Sequence, residues 1–277
     1  MLKPSWLDKR FDHAGARPLR AFLRDLNLHT VCEESLCPNI GECFSRNTAT
    51  FLIMGKVCTR QCRFCNVSQG VPLALDKGEP SRLAAAVKRL MLKYAVITSP
   101  TRDDLADGGA GHFSACAWAV KKLNPSTRIE LLIPDFGARP ESLALIAGSF
   151  ADVLGHNLET VPSLYIKVRK GSSYDRSLGV LSSIRRLCPG AVLKSGLMLG
   201  LGEKEPEVVS VMQDLRKTGC SILTLGQYLA PSLKHYPVQE YIPPEMFTHY
   251  AALARDLGFS GIMSSPYTRS SYRADQA

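Results

Sequence analysis

The sequence predicts an α/β fold, a partial (β/α)6 barrel of TIM type in which about six parallel strands alternate with helices. Three observations predict it. Short apolar runs begin at Phe51, Ala95, Ile129, Ala151, Val192 and Ile222, and stretches with helical spacing separate nearly all of them. Segments rich in polar residues, three of them with glycines, at 98–111, 156–160, 194–203 and 226–228 fall at strand ends, where a parallel barrel places its ligand-binding loops. A loop with three cysteines follows the first strand.

Leu19, Phe22, Leu23 and Leu26 share one helical face and predict a short amphipathic helix ending near Asn27. The next stretch holds Cys32, Cys37 and Cys43, and Pro38, Asn39 and Gly41 predict a tight loop there rather than a helix. Ser81 is the expected N-cap of a helix bearing Leu83, Val87, Leu90 and Met91, which leads into a strand at 94–98. Further helices are expected at 112–123, 140–148, 174–187, 205–217 and 244–257, with strands at 129–134, 151–155, 191–199 and 222–225. Gly219 and Gly258 stand where two of these helices stop, and Pro244 begins the last one.

The cysteines point to chemistry. Cys58, Cys62 and Cys65 have the spacing C-x-x-x-C-x-x-C, and three thiolates in so short a loop can ligate three irons of a four-iron cluster while the fourth stays open. Zinc is the competing reading, but a closed tetrahedron takes two separated pairs and this motif is a ligand short. Cys32, Cys37 and Cys43 are a second triplet in a polar loop, a poor core pattern that favours metal binding. Cys116, Cys188 and Cys220 match no motif and read as packing residues. Nine cysteines are an odd count for a disulfide framework, and no secretory leader precedes them.

Composition bounds the rest. The 277 residues are 45% hydrophobic and 21% charged, the balance of a globular protein. No apolar run is long enough to span a membrane, so the expectation is a cytoplasmic protein. The net charge of +9 favours an acidic partner. Basic residues are dispersed rather than clustered with aromatics, which argues against a nucleic-acid-binding module, and a simple electron carrier would not need six strands of scaffold.

With both triplets in view, the chain resembles the lipoyl synthase family of the radical S-adenosylmethionine (SAM) superfamily from about Trp6 to Asp275. The likeness rests on the two triplets, the blocks ITSPTRDDLADGGAGHF, HNLETVPSLY, KSGLMLGLGE and TLGQYLAPSLKHYPV, and the terminal Arg269-Ser-Ser-Tyr272. The resemblance implies extensions over the mouth of a radical SAM barrel: residues 1–49 carrying an auxiliary-cluster triplet, 50–264 forming the barrel, and 265–277 a tail. It implies two 4Fe-4S clusters and S-adenosylmethionine as cofactors, with Cys58, Cys62 and Cys65 on the radical cluster. Cys32, Cys37, Cys43 and Ser271 would hold the auxiliary one. The implied reaction inserts two sulfur atoms at carbons 6 and 8 of a protein-bound octanoyl-lysine, with no protein side chain as acid, base or nucleophile. The implied partners are octanoylated carrier domains (2-oxoacid dehydrogenase E2 subunits and glycine cleavage H protein), an electron donor such as ferredoxin or flavodoxin, and iron–sulfur carrier proteins. A methylthiotransferase is the nearest rival, but its cysteines would spread over a whole domain. Without the resemblance, Ser270 and Ser271 read as solvated tail residues.

Overall fold

The computed structural model describes residues 2–8, 16–46 and 48–276. They divide between two compact units, one comprising Arg10–Arg60 and Asn66–Leu154, the other Met1–Lys9, Gln61–Cys65 and Gly155–Ala277.

The first unit opens on α1 (Arg17–Asp25), whose Pro18 sits in the first turn and whose Leu19 and Leu23 are buried. It stops where expected, at a left-handed Asn27. The cysteine-bearing stretch is not the irregular loop its sequence predicts. After β1 (His29–Thr30) come two short helices, α2 (Val31–Glu34) and α3 (Ile40–Ser45). The Thr30 side chain caps α2 by accepting from the Glu33 N–H, and Pro38 and Asn39 fall in the turn between the helices, so the breakers separate helical turns rather than abolish them. Then follow β2 (Thr50–Leu52), the two-residue pair β3 (Val57–Cys58) and β4 (Ser68–Gln69), α4 (Glu79–Arg89), β5 (Tyr94–Thr98), α5 (Ala110–Leu123), β6 (Arg128–Leu132), α6 (Pro140–Ala147) and β7 (Val153–Gly155). Strands β2, β5 and β6 are parallel in that order, while β1, which the sequence did not announce, pairs antiparallel with β2.

Helix α4 begins two residues before Ser81, so Ser81 is not its cap. Glu79 and Pro80 occupy the first turn, where a carboxylate meets the helix dipole and a missing N–H costs nothing. Leu83 and Val87, one turn apart, are fully buried with Ala86, and Lys88 and Arg89 complement the other end. Phe113 of α5 meets Phe136 edge-on, with centroids 5.9 Å apart.

The second unit repeats the rhythm with α7 (Tyr165–Val168), α8 (Tyr174–Leu187), β8 (Val192–Leu199), α9 (Glu205–Lys217), β9 (Ile222–Gln227), α10 (Pro244–Asp256) and β10 (Gly261–Ser264). Strands β8, β9 and β10 are parallel neighbours. Helices α8 and α9 have the bounds their periodicity predicts, burying Val180, Leu181 and Ile184 on one and Val208, Val211, Met212 and Leu215 on the other. Gly219 closes α9 in the left-handed conformation (φ 82°). Among the described residues no helix is long and apolar enough to cross a membrane.

The C-terminal segment returns to the end of β9. Gln227 donates its N–H to Pro266 at 3.2 Å, Ser265 donates to Leu225 at 3.2 Å, and the Tyr267 hydroxyl bonds the Leu7 carbonyl. A methyl group at Gly226 would overlap the Thr268 carbonyl oxygen. Gly226→Ala is therefore expected to destabilise the chain by about 1–3 kcal/mol, the usual range for overpacking, in a urea melt; an unchanged midpoint would show that the tail is not seated on this strand.

Candidate metal centre

In the first unit Cys32 and Cys43 fall on the short helices α2 and α3, and Cys37 lies in the turn between them. Cys32 is the second residue of α2 and accepts, through its carbonyl, the Cys37 N–H at 3.0 Å; Ile40 donates to the Cys37 carbonyl at 3.2 Å, and Cys43 follows one turn into α3. Burial pushes the Cys32 thiol up to about 12, and the negative potential of Cys37 and Cys43 adds to the shift. Asn66 of the same unit donates its side-chain amide to the carbonyl of Glu34, the last residue of α2, at 2.9 Å.

Cys58 ends β3. Its sulfur lies 3.4 Å from the Arg60 N–H donor and 3.3 Å from that of Thr101. Thr59 is laced to the segment after β5: its N–H and hydroxyl both donate to the Thr101 carbonyl, at 3.1 and 3.0 Å, and the hydroxyl accepts from the Asp103 N–H at 3.1 Å. The Arg60 guanidinium reaches Asp103 at 2.7 and 2.9 Å and Asp135 at 2.8 and 2.7 Å. Burial draws the guanidinium pKa down, but these two carboxylates outweigh it and hold the group firmly charged.

Upstream of Cys58, Met54 takes a left-handed backbone (φ 66°). Its N–H donates to Glu79 Oε2 at 2.8 Å, and Arg102 Nη1 donates to its carbonyl at 3.2 Å. His112 Nε2 lies 2.7 Å from the same Glu79 oxygen. Glu79, His112 and buried Cys116 place their donor atoms within 4.8 Å of one another, a grouping the sequence did not signal. The Glu79 oxygen nearest His112 already accepts the Met54 N–H, so the group is a hydrogen-bonded brace.

In the second unit, Cys62 accepts the Cys65 N–H through its carbonyl at 3.1 Å, and Arg63 between them donates to Val168 at 2.9 Å and accepts from Tyr236 at 2.8 Å. The Arg63 guanidinium also stacks over the Tyr236 ring at 5.4 Å. Cys62 acts electrostatically on Arg169, a residue sequence reasoning passed over, whose guanidinium donates to the Tyr165 hydroxyl at 2.9 Å and the Ser177 hydroxyl at 3.1 Å. Half-buried Glu159 is left-handed (φ 69°), and burial raises its carboxyl pKa against the opposing pull of Arg169 and of the Asn157 amide, which donates to it at 3.0 Å.

Ser271 is half-buried in the turn following Arg269, where Tyr272 donates to the Arg269 carbonyl. Its neighbour Ser270 is not a solvated residue, because its hydroxyl accepts from the Asn157 amide at 2.6 Å. Of the four polar strand-end segments, 98–111 serves the Cys58 loop, whereas much of 194–203 lies inside β8, with Lys194 and Ser195 buried.

Soft sulfur in two cysteine triplets and N–H donors aimed at the Cys58 sulfur make a donor set that suits iron–sulfur clusters and ill suits hard oxygen-seeking ions.

The comparisons with known proteins agree with this chemistry. Residues 52–215 match the radical SAM superfamily. Over 98% of its length the chain is 54% identical to the lipoyl synthase of Geobacter metallireducens, covering 96% of that protein. It is 50% identical over 99% of its length to the lipoyl synthase of Caldicellulosiruptor saccharolyticus, again covering 96%. The crystal structure of methylornithine synthase aligns with a TM-score of 0.58 at 13% identity, over 96% of this chain and 84% of that one. Streptococcus suis SuiB bound to S-adenosylmethionine aligns with a TM-score of 0.61 at 10% identity over 81% of this chain, which spans about half (52%) of SuiB. These likenesses are ones of fold, and the fold is the α/β class the sequence predicts.

At pH 8 a thiol with a pKa near 12 is thiolate at roughly one part in ten thousand, against about a quarter for an ordinary cysteine of pKa near 8.5. In the iron-free chain Cys32 is accordingly expected to alkylate at least a hundredfold more slowly than free cysteine, with the rate climbing as pH rises toward 12. Peptide mapping after iodoacetamide pulses measures it, and equal rates would mean that the triplet is open in the absence of iron.

Proposed function

The chain belongs to the lipoyl synthase family of the radical SAM superfamily, and from that premise we propose that it inserts sulfur at carbons 6 and 8 of an octanoyl chain held on a carrier-domain lysine. The observation that carries the reading is identity above 50% to lipoyl synthases along nearly the whole chain. Carbons 6 and 8 bear no activating group, so no acid or base in a protein removes their hydrogens, and the hard step falls to cofactors that the protein holds and orients. Bound to Cys58, Cys62 and Cys65, a four-iron cluster supplies the electron that turns S-adenosylmethionine into a hydrogen-abstracting radical, and a second cluster supplies the sulfur.

The chain's own residues do the holding. By their spacing Cys58, Cys62 and Cys65 ligate the first cluster, and the N–H groups of Arg60 and Thr101 reach the Cys58 sulfur and fix its position. Cys32, Cys37 and Cys43, in the N-terminal extension 1–49, ligate the second, where burial of Cys32 keeps its sulfur from water. Ser271, in the tail 265–277, would be its fourth ligand, and an alkoxide oxygen there would be a weaker, more readily exchanged partner for iron than thiolate. The +9 charge suits acidic carrier domains, such as those of E2 subunits and H protein, and an acidic ferredoxin or flavodoxin as reductant. The reducing cytoplasm is the setting in which such thiols survive.

Anaerobic reconstitution is expected to load about eight irons per chain, four on each triplet. Replacing Cys32, Cys37 and Cys43 together by Ala halves that number and leaves reductive cleavage of S-adenosylmethionine intact. Cleavage that disappears in this variant, but survives in the Cys58, Cys62, Cys65 variant, reverses the two assignments.

Ser271→Ala is expected to load both clusters and release deoxyadenosine, yet yield little lipoyl product on an octanoyl-lysine peptide by mass spectrometry. Ser271→Cys loads well and also turns over poorly, since a thiolate is slow to leave iron. Ser270→Ala is no neutral control, because it removes the Asn157 contact. Full product from Ser271→Ala would assign the serine to the tail alone.

A further inference from the structure

Resting on the reading that Cys58, Cys62 and Cys65 hold a cluster, we propose that Arg60, backed by Asp135, is a positioning residue. It fixes the Cys58 sulfur and the N–H groups that bond it, and thereby sets the reduction potential of the cluster.

Arg60 lies inside the motif, yet its side chain is 10% exposed. Its guanidinium fork faces two carboxylates that follow successive strands, Asp103 after β5 and Asp135 after β6, with a bidentate contact to each. Asp135 is 0% exposed and is itself held in place, with one oxygen accepting the Gly137 N–H at 3.1 Å; Asp103 is 40% exposed. Arg60 is thus anchored chiefly to a buried acid across the unit, and the same residue carries one of the two N–H groups on Cys58 Sγ. The other comes from Thr101, whose segment Thr59 laces to the motif.

The consequence is electronic as well as geometric. An N–H directed at a ligating thiolate withdraws negative charge from it, which favours the more negative, reduced state of an attached cluster and moves its potential upward. If Arg60 loses its anchor, the turn at Thr59–Arg60 shifts and both N–H···S contacts lengthen. A lysine cannot substitute, because a point charge cannot make two bidentate contacts at once. A purely structural ion pair behaves differently, since apolar residues of similar size can replace such a pair with little loss of stability.

The test uses the full chain in a Cys32, Cys37, Cys43→Ala background, so that only the Cys58 cluster remains. Arg60→Lys, Asp135→Asn and the double variant Arg60→Met/Asp135→Leu are compared with this parent. The readouts are iron content, melting temperature, midpoint potential by EPR-monitored titration, and kcat and KM for S-adenosylmethionine cleavage. The expected result is retained iron, a potential shifted to more negative values, and a kcat lower by roughly 10–100-fold, the usual range for partners of metal ligands, with KM moved less. The double variant regains the melting temperature of the parent but keeps the shifted potential; loss of iron from an equally stable chain would instead assign Arg60 to retention of the cluster and overturn the claim that it sets the potential. A potential and EPR signal identical to those of the parent, with rates that follow only the folded fraction, would overturn the proposal. A parent that holds no cluster at all through Cys58 would overturn the underlying reading, and this inference with it.

Discussion

The first unit depends on a single peptide unit, at Met54, where the chain leaves β2 and turns toward the cysteine motif. A methionine in the left-handed region costs roughly 1–2 kcal/mol, so something must hold it there. Glu79 takes its N–H and Arg102 takes its carbonyl, one charged group on each side. Hydrogen bonds to charged groups contribute about 1.5–3 kcal/mol each, enough to offset the strain. Glu79 is available because it starts α4, and His112 braces it from α5. Gly109 must lack a side chain, since a Cβ there would overlap the Met54 sulfur. The turn then delivers β3 with Cys58 at its end.

Charge is handled by the same economy of placement downstream. Arg60 and Arg102 are both nearly buried, and each is met by carboxylates close at hand, Asp103 and Asp135 for one and Asp104 for the other. Removing one partner of such a pair commonly costs 3–5 kcal/mol, whereas the intact pair contributes little to net stability. Their presence is therefore better explained by what they orient than by what they stabilise. Arg102 holds the Met54 carbonyl from the loop after β5, and Arg60 ties the turn of the cysteine motif to acids that follow β5 and β6.

The sequence announces whatever rests on periodicity. Helices α8 and α9 have the ends their apolar spacing implies, because several buried residues repeat along one face and a capping or closing residue stands at each boundary. Helix α4 starts early since proline and glutamate in a first turn outweigh a serine cap. The turns of α2 and α3 are too short for any period to register, and the first of them is capped by Thr30. Strand β10 has four residues and no alternation; only its pairing with β9 makes it a strand. The cysteines themselves were legible from spacing. Their supports were not, because the partners of Arg60 lie 43 and 75 positions away and that of Ser270 lies 113 away, and a single sequence carries no trace of such pairings.

Ser270 and its neighbours show how the second unit solves a different problem. A terminal segment has no following element to hold it, and its ordering entropy, about 1–2 kcal/mol per residue, must be offset by contacts. The main chain of 265–268 is held by backbone hydrogen bonds at the end of β9, where Gly226 leaves room for the Thr268 carbonyl. Arg269 folds its guanidinium back on the Thr268 carbonyl at 2.6 Å, and Asn157 catches Ser270. At Gly196 a Cβ would overlap the Thr224 hydroxyl, 2.4 Å away, and crowd the Ser270 hydroxyl at 3.1 Å. Two glycines in adjacent strands thus shape the seat of the tail. Ser271 follows the last of these anchors directly, so its position is set by Ser270 and Arg269 before any ligand arrives.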